Sequence, residues 1–386
     1  MIYLDSAATT PIHPEVLQSM RPWIMENFAN ASAVYGAGRK AKEAIESARA
    51  KVAKLFAAAP ENIVFTSGGS EGNSFAFHAA AERLKSTNKK HILVSSVEHD
   101  SVLRAAEGLI KQGFHVELLP VCPGGYVRID DVRRAITPET GLISVMYVNN
   151  ETGTVNNLES IGGLCAENEI LFHTDCVQAA GLLPIDVSLI NCDFATISAH
   201  KFHGPKGVGC VYVKDTGMWE PMIYGGHGQE HGLRGGTENV SGIVGMGTAA
   251  EIAVRSMPDT QKHVVELRSC LWEYLSQELK NTVHLNGQCF AVSKVLNVRI
   301  DDIDSDTMVL AMDAMGVSIS AGSACRSFEL TPNRTLTAMG LSPDEARSSV
   351  RISFSSMNTE DDVRYAGRAL VKCAKMLRGE IDDLKE

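Results

Sequence analysis

Short apolar runs alternate with helix-like segments between Pro60 and Val213. Runs typical of buried strands occupy residues 63–65, 91–95, 114–121, 142–148, 170–173, 194–197 and 208–213. Apolar residues at helical spacing predict helices between them, over residues 100–112, 130–136 and 158–168, after an earlier helix over 14–28. Strands separated by helices require crossover connections. We therefore predict an α/β fold with a mainly parallel seven-stranded sheet sandwiched by helices.

The pattern changes near Met257. A predicted helix over residues 259–281 precedes strand-like runs at 295–300, 317–319 and 350–354 and a last helix over 359–377. This order predicts a smaller α+β domain. We place the large domain at residues 14–256 and assign residues 1–13 and 257–386 to the small domain.

Composition narrows the class of protein. The 386 residues are 44% hydrophobic and 21% charged, which is typical of a globular chain. No apolar run reaches membrane-spanning length and the amino terminus lacks a signal-peptide pattern, so we expect no membrane segment.

Nine cysteines without a Cys-x-x-Cys pair argue against a disulfide framework and favour a cytoplasmic protein. The formal net charge of −10, without a basic block, disfavours direct binding to nucleic acid.

Polar clusters directly follow five of the predicted strands. They occupy residues 67–70, 98–99, 149–150, 175–178 and 198–201. In an open α/β sheet, ligands bind outside the carboxyl ends of the strands. We therefore expect these five clusters to converge on one site.

Several of these residues suit a pyridoxal phosphate site, and each has a simpler alternative. A partly desolvated Lys201 would be a nucleophile toward carbonyls, as in a Schiff base with that cofactor, or a solvated surface lysine. Asp175 would pair with a pyridinium nitrogen or cap a helix. The turn Gly68-Gly69-Ser70 would cradle a phosphate at a helix start or be an ordinary tight turn. His99 would stack on a ring and move protons, or lie at the surface or cap a helix.

Two candidates lie in the second half of the chain. Cys325 stands among small residues beside Arg326, which favours an accessible thiolate over a passive loop cysteine. Arg351 begins a buried-looking run and would hold a substrate carboxylate through two hydrogen bonds or form a structural ion pair.

The chain resembles the cysteine desulfurases, which are fold-type-I, class V aminotransferase-like pyridoxal phosphate enzymes. The resemblance covers nearly the whole chain in colinear order. It rests on Leu4-Asp5-…-Ala7-Ala8-Thr9-Thr10, Thr66-Ser67-Gly68, Glu98-His99, Asn149-Asn150-Glu151-Thr152-Gly153, Asp175-…-Gln178, Ser198-Ala199-His200-Lys201, Gly235-Gly236-Thr237-Glu238-Asn239 and Gly322-Ser323-Ala324-Cys325. Gly69-Ser70 replaces the usual Ala-Thr of the family, and serine keeps the hydroxyl.

The resemblance implies a role for each site residue. Lys201 would bind the cofactor covalently, Asp175 would pair with the ring nitrogen, Gln178 would contact the ring hydroxyl and His99 would stack on the ring. Gly69, Ser70, Ser198 and His200 would hold the phosphate, and Thr237 would reach the phosphate of the other subunit in a homodimer. Asn150, beside the cofactor, and Arg351 would hold the substrate carboxylate, and Cys325 would accept the sulfur.

The implied reaction converts L-cysteine to L-alanine and leaves a persulfide on Cys325. An acceptor protein then takes the sulfur; iron–sulfur scaffolds, tRNA-thiolation relays and DNA-phosphorothioation partners are the expected kinds. The alternatives are a selenocysteine lyase, another class V lyase or transaminase, and a non-catalytic sulfur carrier. The presence of Lys201, Asp175, His99 and Arg351 together argues against the carrier.

Overall fold

The computed structural model describes residues 1–226, 228–287, 294–322 and 332–381. Its strands are β1 (Ile2–Tyr3), β2 (Ile63–Thr66), β3 (His91–Ser95), β4 (His115–Leu119), β5 (Thr140–Ser144), β6 (Leu171–Asp175), β7 (Phe194–Ser198), β8 (Gly209–Val213), β9 (Val283–Leu285), β10 (Val295–Ile300), β11 (Val317–Ser318) and β12 (Ser349–Ser353). Its helices are α1 (Pro14–Met25), α2 (Gly36–Ala53), α3 (Gly69–Leu84), α4 (Asp100–Ile110), α5 (Ile129–Ala135), α6 (Leu158–Glu167), α7 (Val187–Ile190), α8 (Val240–Leu279), α9 (Ser305–Ala314), α10 (Arg334–Ala338), α11 (Pro343–Arg347) and α12 (Glu360–Leu377).

The large sheet has seven strands in the order β2-β8-β7-β6-β5-β3-β4. The five strands from β7 to β4 run parallel to one another, and β8 is antiparallel to both β7 and β2. This arrangement confirms the predicted α/β fold with a mainly parallel seven-stranded sheet. The carboxyl ends of β3, β5, β6 and β7 consequently lie along one edge, where the polar clusters begin.

Both faces of the large sheet are covered. Strand β3 is buried throughout, and its successive side chains pack alternately on the two faces of the sheet. Ile92 and Val94 join one core cluster, whereas Leu93 joins another. Helices α3 and α4 supply the cluster on the first face, and α2, α6 and the first half of α8 supply the second. Burial on both faces explains why these strands are almost continuously apolar in the sequence.

A third core cluster lies around the smaller antiparallel sheet, whose order is β12-β10-β9. The amino terminus belongs to this region, because β1 pairs in parallel with β11 and the Leu4 side chain is fully buried in the cluster. The backbone N–H of Ser353 donates to the carbonyl of Leu4 at 2.8 Å. The first residues of the chain are thereby held against β12.

Helix α8 begins at Val240, whereas the sequence predicted a helix from residue 259. Pro258 accounts for the difference, because proline lacks an N–H group and usually marks a helix start. The helix nevertheless continues, since Met246 packs in a core of the large sheet and Leu271 in that of the smaller one. The domain limit between residues 256 and 257 therefore falls inside α8 and stays a prediction. Neither α8 nor any other helix of the described residues has an apolar stretch that could cross a bilayer.

Candidate active site

Lys201 lies in a short 3₁₀ turn (Ala199–Lys201) that directly follows β7. Its Nζ donates hydrogen bonds to the carbonyls of Ala7 at 2.5 Å and Ala8 at 2.8 Å. Gln178 Nε2 donates to the same Ala7 carbonyl at 2.8 Å. The amino-terminal loop therefore joins two of the predicted site residues, and the Lys201 amine is partly buried rather than solvated.

His200 is held by the same amino-terminal loop. Its backbone carbonyl accepts hydrogen bonds from both N and Oγ1 of Thr10, each at 2.9 Å. Its Nδ1 lies 3.1 Å from Thr9 Oγ1. Burial, with the Lys201 charge second, lowers the pKa of His200 to about 4, so the ring is neutral at pH 7.

Asp175 ends β6 with its side chain 4% exposed. One carboxylate oxygen accepts from the backbone N–H of Val177 at 2.9 Å, and the other accepts from Asn73 Nδ2 at 2.8 Å. Within the described part of the chain Asp175 forms no ion pair. A buried carboxylate without a cation nearby can pair with a protonated ring nitrogen. The positive charge of that nitrogen would compensate the negative charge of the carboxylate.

Asn73 connects Asp175 to His99, and the sequence did not single it out. Its amide nitrogen also donates to Ser101 Oγ at 2.9 Å, and that hydroxyl lies 2.8 Å from His99 Nδ1. Because His99 Nδ1 also accepts from the Ser101 backbone N–H at 3.2 Å, the neutral ring carries its proton on Nε2. The network fixes the tautomer of His99, which is at the same time the N-cap of α4.

A buried histidine completes this network. His173 Nε2 lies 3.2 Å from Asn73 Oδ1, and its Nδ1 lies 2.8 Å from Ser144 Oγ. Burial lowers the pKa of His173 to about 3, so it stays neutral and fixes the orientation of the Asn73 amide. The available sequence signal was that Ser144 and His173 are polar residues inside apolar strands, where an unpaired polar group is costly.

The turn after β2 brings the first residues of α3 against the sheet. A Cβ atom on Gly69 would lie 2.9 Å from Val177 Cγ2 and 3.7 Å from Ser198 Cβ, so a side chain here would require Val177 to shift. The first N–H groups of a helix have no intrahelical partner and attract anions. Ser70 is exposed at this helix start and Ser198 is buried beside it, so three of the four predicted phosphate contacts lie together.

Arg351, on β12, is 2% exposed and lies between two carboxylates. Nη1 contacts Glu151 Oε1 at 2.9 Å, and Nη2 contacts Asp5 Oδ1 at 2.8 Å. Nη1 also donates to the Asn150 carbonyl at 3.2 Å, which places the two predicted carboxylate-binding residues side by side. Among the described residues, Arg351 Nε is buried without a hydrogen-bond partner.

Glu98 has no assigned role from the sequence, although it precedes His99. It is 1% exposed; one oxygen accepts from the Met146 N–H at 2.5 Å and the other has no described partner. Burial, with the charge of Asp175 second, raises the pKa of Glu98 well above its usual range. The residue that precedes the histidine of the site is therefore a buried carboxyl group whose environment favours the protonated form.

Cys325 and Thr237 are not joined to this cluster by the described contacts. Cys325 lies outside the described residues, but both flanks of its segment are described: Ser320 N donates to Arg351 O at 3.0 Å, and Asn333 Nδ2 donates to Glu151 Oε2 at 2.9 Å. Thr237 is exposed in the loop before α8. No hydrogen bond found among the described residues links Thr237 to Lys201 or Asp175.

The site thus combines a partly buried amine, an uncompensated carboxylate, a glycine-lined helix start and a buried guanidinium. These groups suit a ligand with a carbonyl carbon, a protonated ring nitrogen and a phosphate, together with a substrate that carries a carboxylate.

Comparisons with known proteins agree with this chemistry. A family model for class-V aminotransferases matches residues 2–365. The cysteine desulfurase IscS of Clostridium botulinum (strain Hall) is 41% identical over 380 residues, covering 98% of this chain and 95% of the relative.

Solved structures give the same answer. One described as a NifS-like protein superposes with a TM-score of 0.89 at 34% identity, over 96% of this chain and 98% of that chain. Another, SspA in complex with cysteine, has a TM-score of 0.82 at 37% identity, over 93% and 100% of the two chains. The chain therefore belongs to the cysteine desulfurases, pyridoxal-phosphate-dependent enzymes of the class-V aminotransferase family.

Proposed function

We propose that this protein holds pyridoxal phosphate on Lys201 and removes the sulfur of L-cysteine at the carboxyl edge of its large sheet. The observation that carries the proposal is that four site residues are linked in two pairs. Lys201 and Gln178 share the Ala7 carbonyl, and Asp175 is linked to His99 through Asn73 and Ser101. A solvated surface lysine and an isolated helix cap would lack such links to other site residues.

The residues present fit the cofactor. Asp175 would face the ring nitrogen, and Gln178, whose Oε1 is buried without a described partner, would turn toward the ring hydroxyl. Gly69, Ser70, Ser198 and His200 would surround the phosphate, and His99 would stack on the ring. Bound there, pyridoxal phosphate supplies an electron sink for negative charge that develops on the substrate carbon.

Arg351 and Asn150 would bind the carboxylate of L-cysteine. Arg351 already contacts two carboxylates, so the substrate must compete with one of them. Asp5 is the weaker competitor: its side chain is 15% exposed, compared with 3% for Glu151, and burial raises its pKa. We therefore propose that the substrate carboxylate takes the place of Asp5, while Glu151 stays paired.

Cys325 would receive the sulfur. Its thiolate attacks the substrate sulfur, an S–S bond forms, and the C–S bond breaks. The electron pair of the broken bond stays with the carbon fragment, which takes a proton and leaves as L-alanine, so no outside oxidant is needed. Burial raises the thiol pKa of five other cysteines and leaves them poor nucleophiles: Cys165, Cys176, Cys192, Cys210 and Cys373.

We further propose a cytoplasmic homodimer in which Thr237 completes the phosphate site of the other subunit. The exposure of Thr237 and its lack of described contacts with its own site support this arrangement. The Cys325 persulfide would pass its sulfur to an acceptor protein, of which iron–sulfur scaffolds are the kind suggested by the relatives named IscS.

The test is an absorption spectrum of the purified protein before and after addition of L-cysteine, with alanine and reducible sulfide quantified. We expect a visible cofactor band that shifts with L-cysteine and is lost in Lys201→Ala but kept in the exposed control Lys206→Ala. Cys325→Ala should keep the cofactor band and lose the production of sulfide and alanine. The control Cys270→Ala should keep the band and the production of both compounds.

Each result that differs from these expectations would change a different part of the proposal. No band after addition of pyridoxal phosphate would overturn the cofactor assignment. A band without alanine would point to another class V reaction, and turnover of L-selenocysteine alone would point to a selenocysteine lyase. Full activity of Cys325→Ala would remove Cys325 as the sulfur acceptor.

A further inference from the structure

A cavity of about 280 Å³ is lined by the Lys201 turn, and no residue of the Asp175 network belongs to its described lining. Its wall is formed by the turn itself (Lys201 to His203), by the middle of α8 and by the residues that follow β12. Lys201 is the one proposed site residue that also lines this cavity. The cavity therefore shares only Lys201, among the described residues, with the site proposed for the cofactor.

The described lining is basic and rich in hydroxyls. Its ionisable side chains are His13, Lys201, His203, Arg255 and Lys294, and no aspartate or glutamate belongs to the described lining. Asp5 interacts electrostatically with Lys201, and Glu15 lies 3.8 Å from Arg255, with both side chains of that pair more than half exposed. Such an exposed pair contributes little energy and does not offset charge in the interior.

Lys294 is the buried cation of this wall. It is 7% exposed, and its Nζ donates to the Lys201 carbonyl at 3.0 Å. Burial and the charges of Lys201 and Arg351 lower the pKa of Lys294 to about 7. A carbonyl oxygen carries no net charge, so this ammonium lacks the compensation that a buried charge needs.

The neighbouring histidines do not compensate Lys294 either. Burial lowers the pKa of His203, and the charge of Lys294 lowers it further. His203 Nδ1 lies 3.0 Å from the Pro11 carbonyl, and its Nε2 lies 3.5 Å from Ser356 Oγ at the cavity wall. Burial, followed by the charges of Lys201, Lys206 and Lys294, likewise lowers the pKa of His200. The two charged groups that act on Lys294, Lys201 and Arg351, are both cations.

From this geometry we propose that the cavity binds a small anion, with Lys294 as its charged partner. An anion there would compensate Lys294 and keep it protonated, which strengthens its hydrogen bond to the Lys201 carbonyl. Anion occupancy would in this way favour one position of the turn that carries the Lys201 amine. The proposal does not depend on which reaction the enzyme catalyses.

The test uses the protein saturated with pyridoxal phosphate, so that any phosphate site for the cofactor is filled. Sodium sulfate and sodium acetate are titrated by calorimetry at constant ionic strength, with sodium chloride as the reference salt. We expect one sulfate or acetate site at pH 6.5, and an affinity that falls up to tenfold per pH unit above about pH 7 as Lys294 loses its proton. Preference for sulfate identifies a tetrahedral oxyanion as the ligand class, and preference for acetate identifies a carboxylate.

Substitutions at the cavity wall test whether the anion binds there. Lys294→Met should weaken binding at least tenfold, whereas Lys262→Met, on the exposed face of α8, should leave it unchanged. If Lys294→Met fails to fold, Ser356→Glu provides the second variant: it puts a carboxylate at the cavity wall and should abolish anion binding. Absence of a site for either anion in the unsubstituted protein, or equal binding in Lys294→Met or Ser356→Glu, would overturn the proposal.

Discussion

Two buried cations beside each other in the small sheet region, one on β12 and one just before β10, have opposite surroundings. Arg351 is on β12 and Lys294 directly precedes β10, and the N–H of Phe354 donates to the Lys294 carbonyl at 2.9 Å. Their exposed fractions are similar, 2% and 7%. Arg351 has two carboxylates within 3 Å, whereas Lys294 has a backbone carbonyl.

The pKa values of the two groups diverge accordingly. Burial alone would favour the neutral form of both, but Glu151 and Asp5 overcome it and raise the pKa of Arg351. Burial and nearby cations instead lower the pKa of Lys294 to about 7. Burial therefore sets the free-energy cost of a charged side chain, and the presence of a counter-ion decides whether that side chain stays ionised.

The largest effect is expected from removal of Arg351. Arg351→Leu leaves Asp5 and Glu151 buried without their cation, so the free energy of unfolding in urea should fall by about 3–5 kcal/mol. The matched control is Arg299→Leu, because Arg299 is 19% exposed and its carboxylate partners are about two-fifths exposed. The control should cost about 1 kcal/mol or less. Equal losses of unfolding free energy in the two variants would show that the two ion pairs of Arg351 stabilise the fold no more than the exposed ion pairs of Arg299.

The second effect concerns Lys294 and the pH dependence of stability. Its pKa is lower in the folded protein than in the unfolded chain, so the unfolded chain binds more protons between pH 7 and about 10. The stability contributed by Lys294 therefore rises with pH across that window, by up to about 1.4 kcal/mol per pH unit. In urea unfolding from pH 6.5 to 9, Lys294→Met should lose this rise and Lys262→Met should keep it. The same slope in Lys294→Met would mean that another group titrates.

The third effect is expected at Glu98, which is the acidic counterpart of Lys294. Its raised pKa means that the folded state keeps a proton that the unfolded chain loses above about pH 4.5, so stability falls as pH rises beyond that value. Glu98→Gln should remove this fall, and the exposed control Glu43→Gln should not. The hydrogen bond from Met146 and the charge of Arg334 favour the carboxylate, but burial and the charge of Asp175 outweigh them. An unchanged or steeper fall in Glu98→Gln would contradict a raised pKa of Glu98.

Local pattern was enough to predict most of the large sheet and the positions of its polar clusters. Strand β3 occupies the predicted residues 91–95, and β10 the predicted residues 295–300. Periodicity and the apolar character of buried strands are properties of neighbouring residues, so they can be seen without the fold. The same local reading failed at α8, where packing against two cores carries the helix through Pro258.

The sequence by itself determined the fold class, the order of the strand-end clusters and the residue types that suit the chemistry, including Lys201, Asp175 and His99. Only the tertiary structure decided how those residues are joined. Asn73 meets Asp175 across 102 positions of the chain, and Arg351 meets Asp5 across 346. It also placed Lys294 in the interior without a carboxylate. Charge compensation in the interior depends on which distant segments pack together, and no local pattern in the sequence reports that choice.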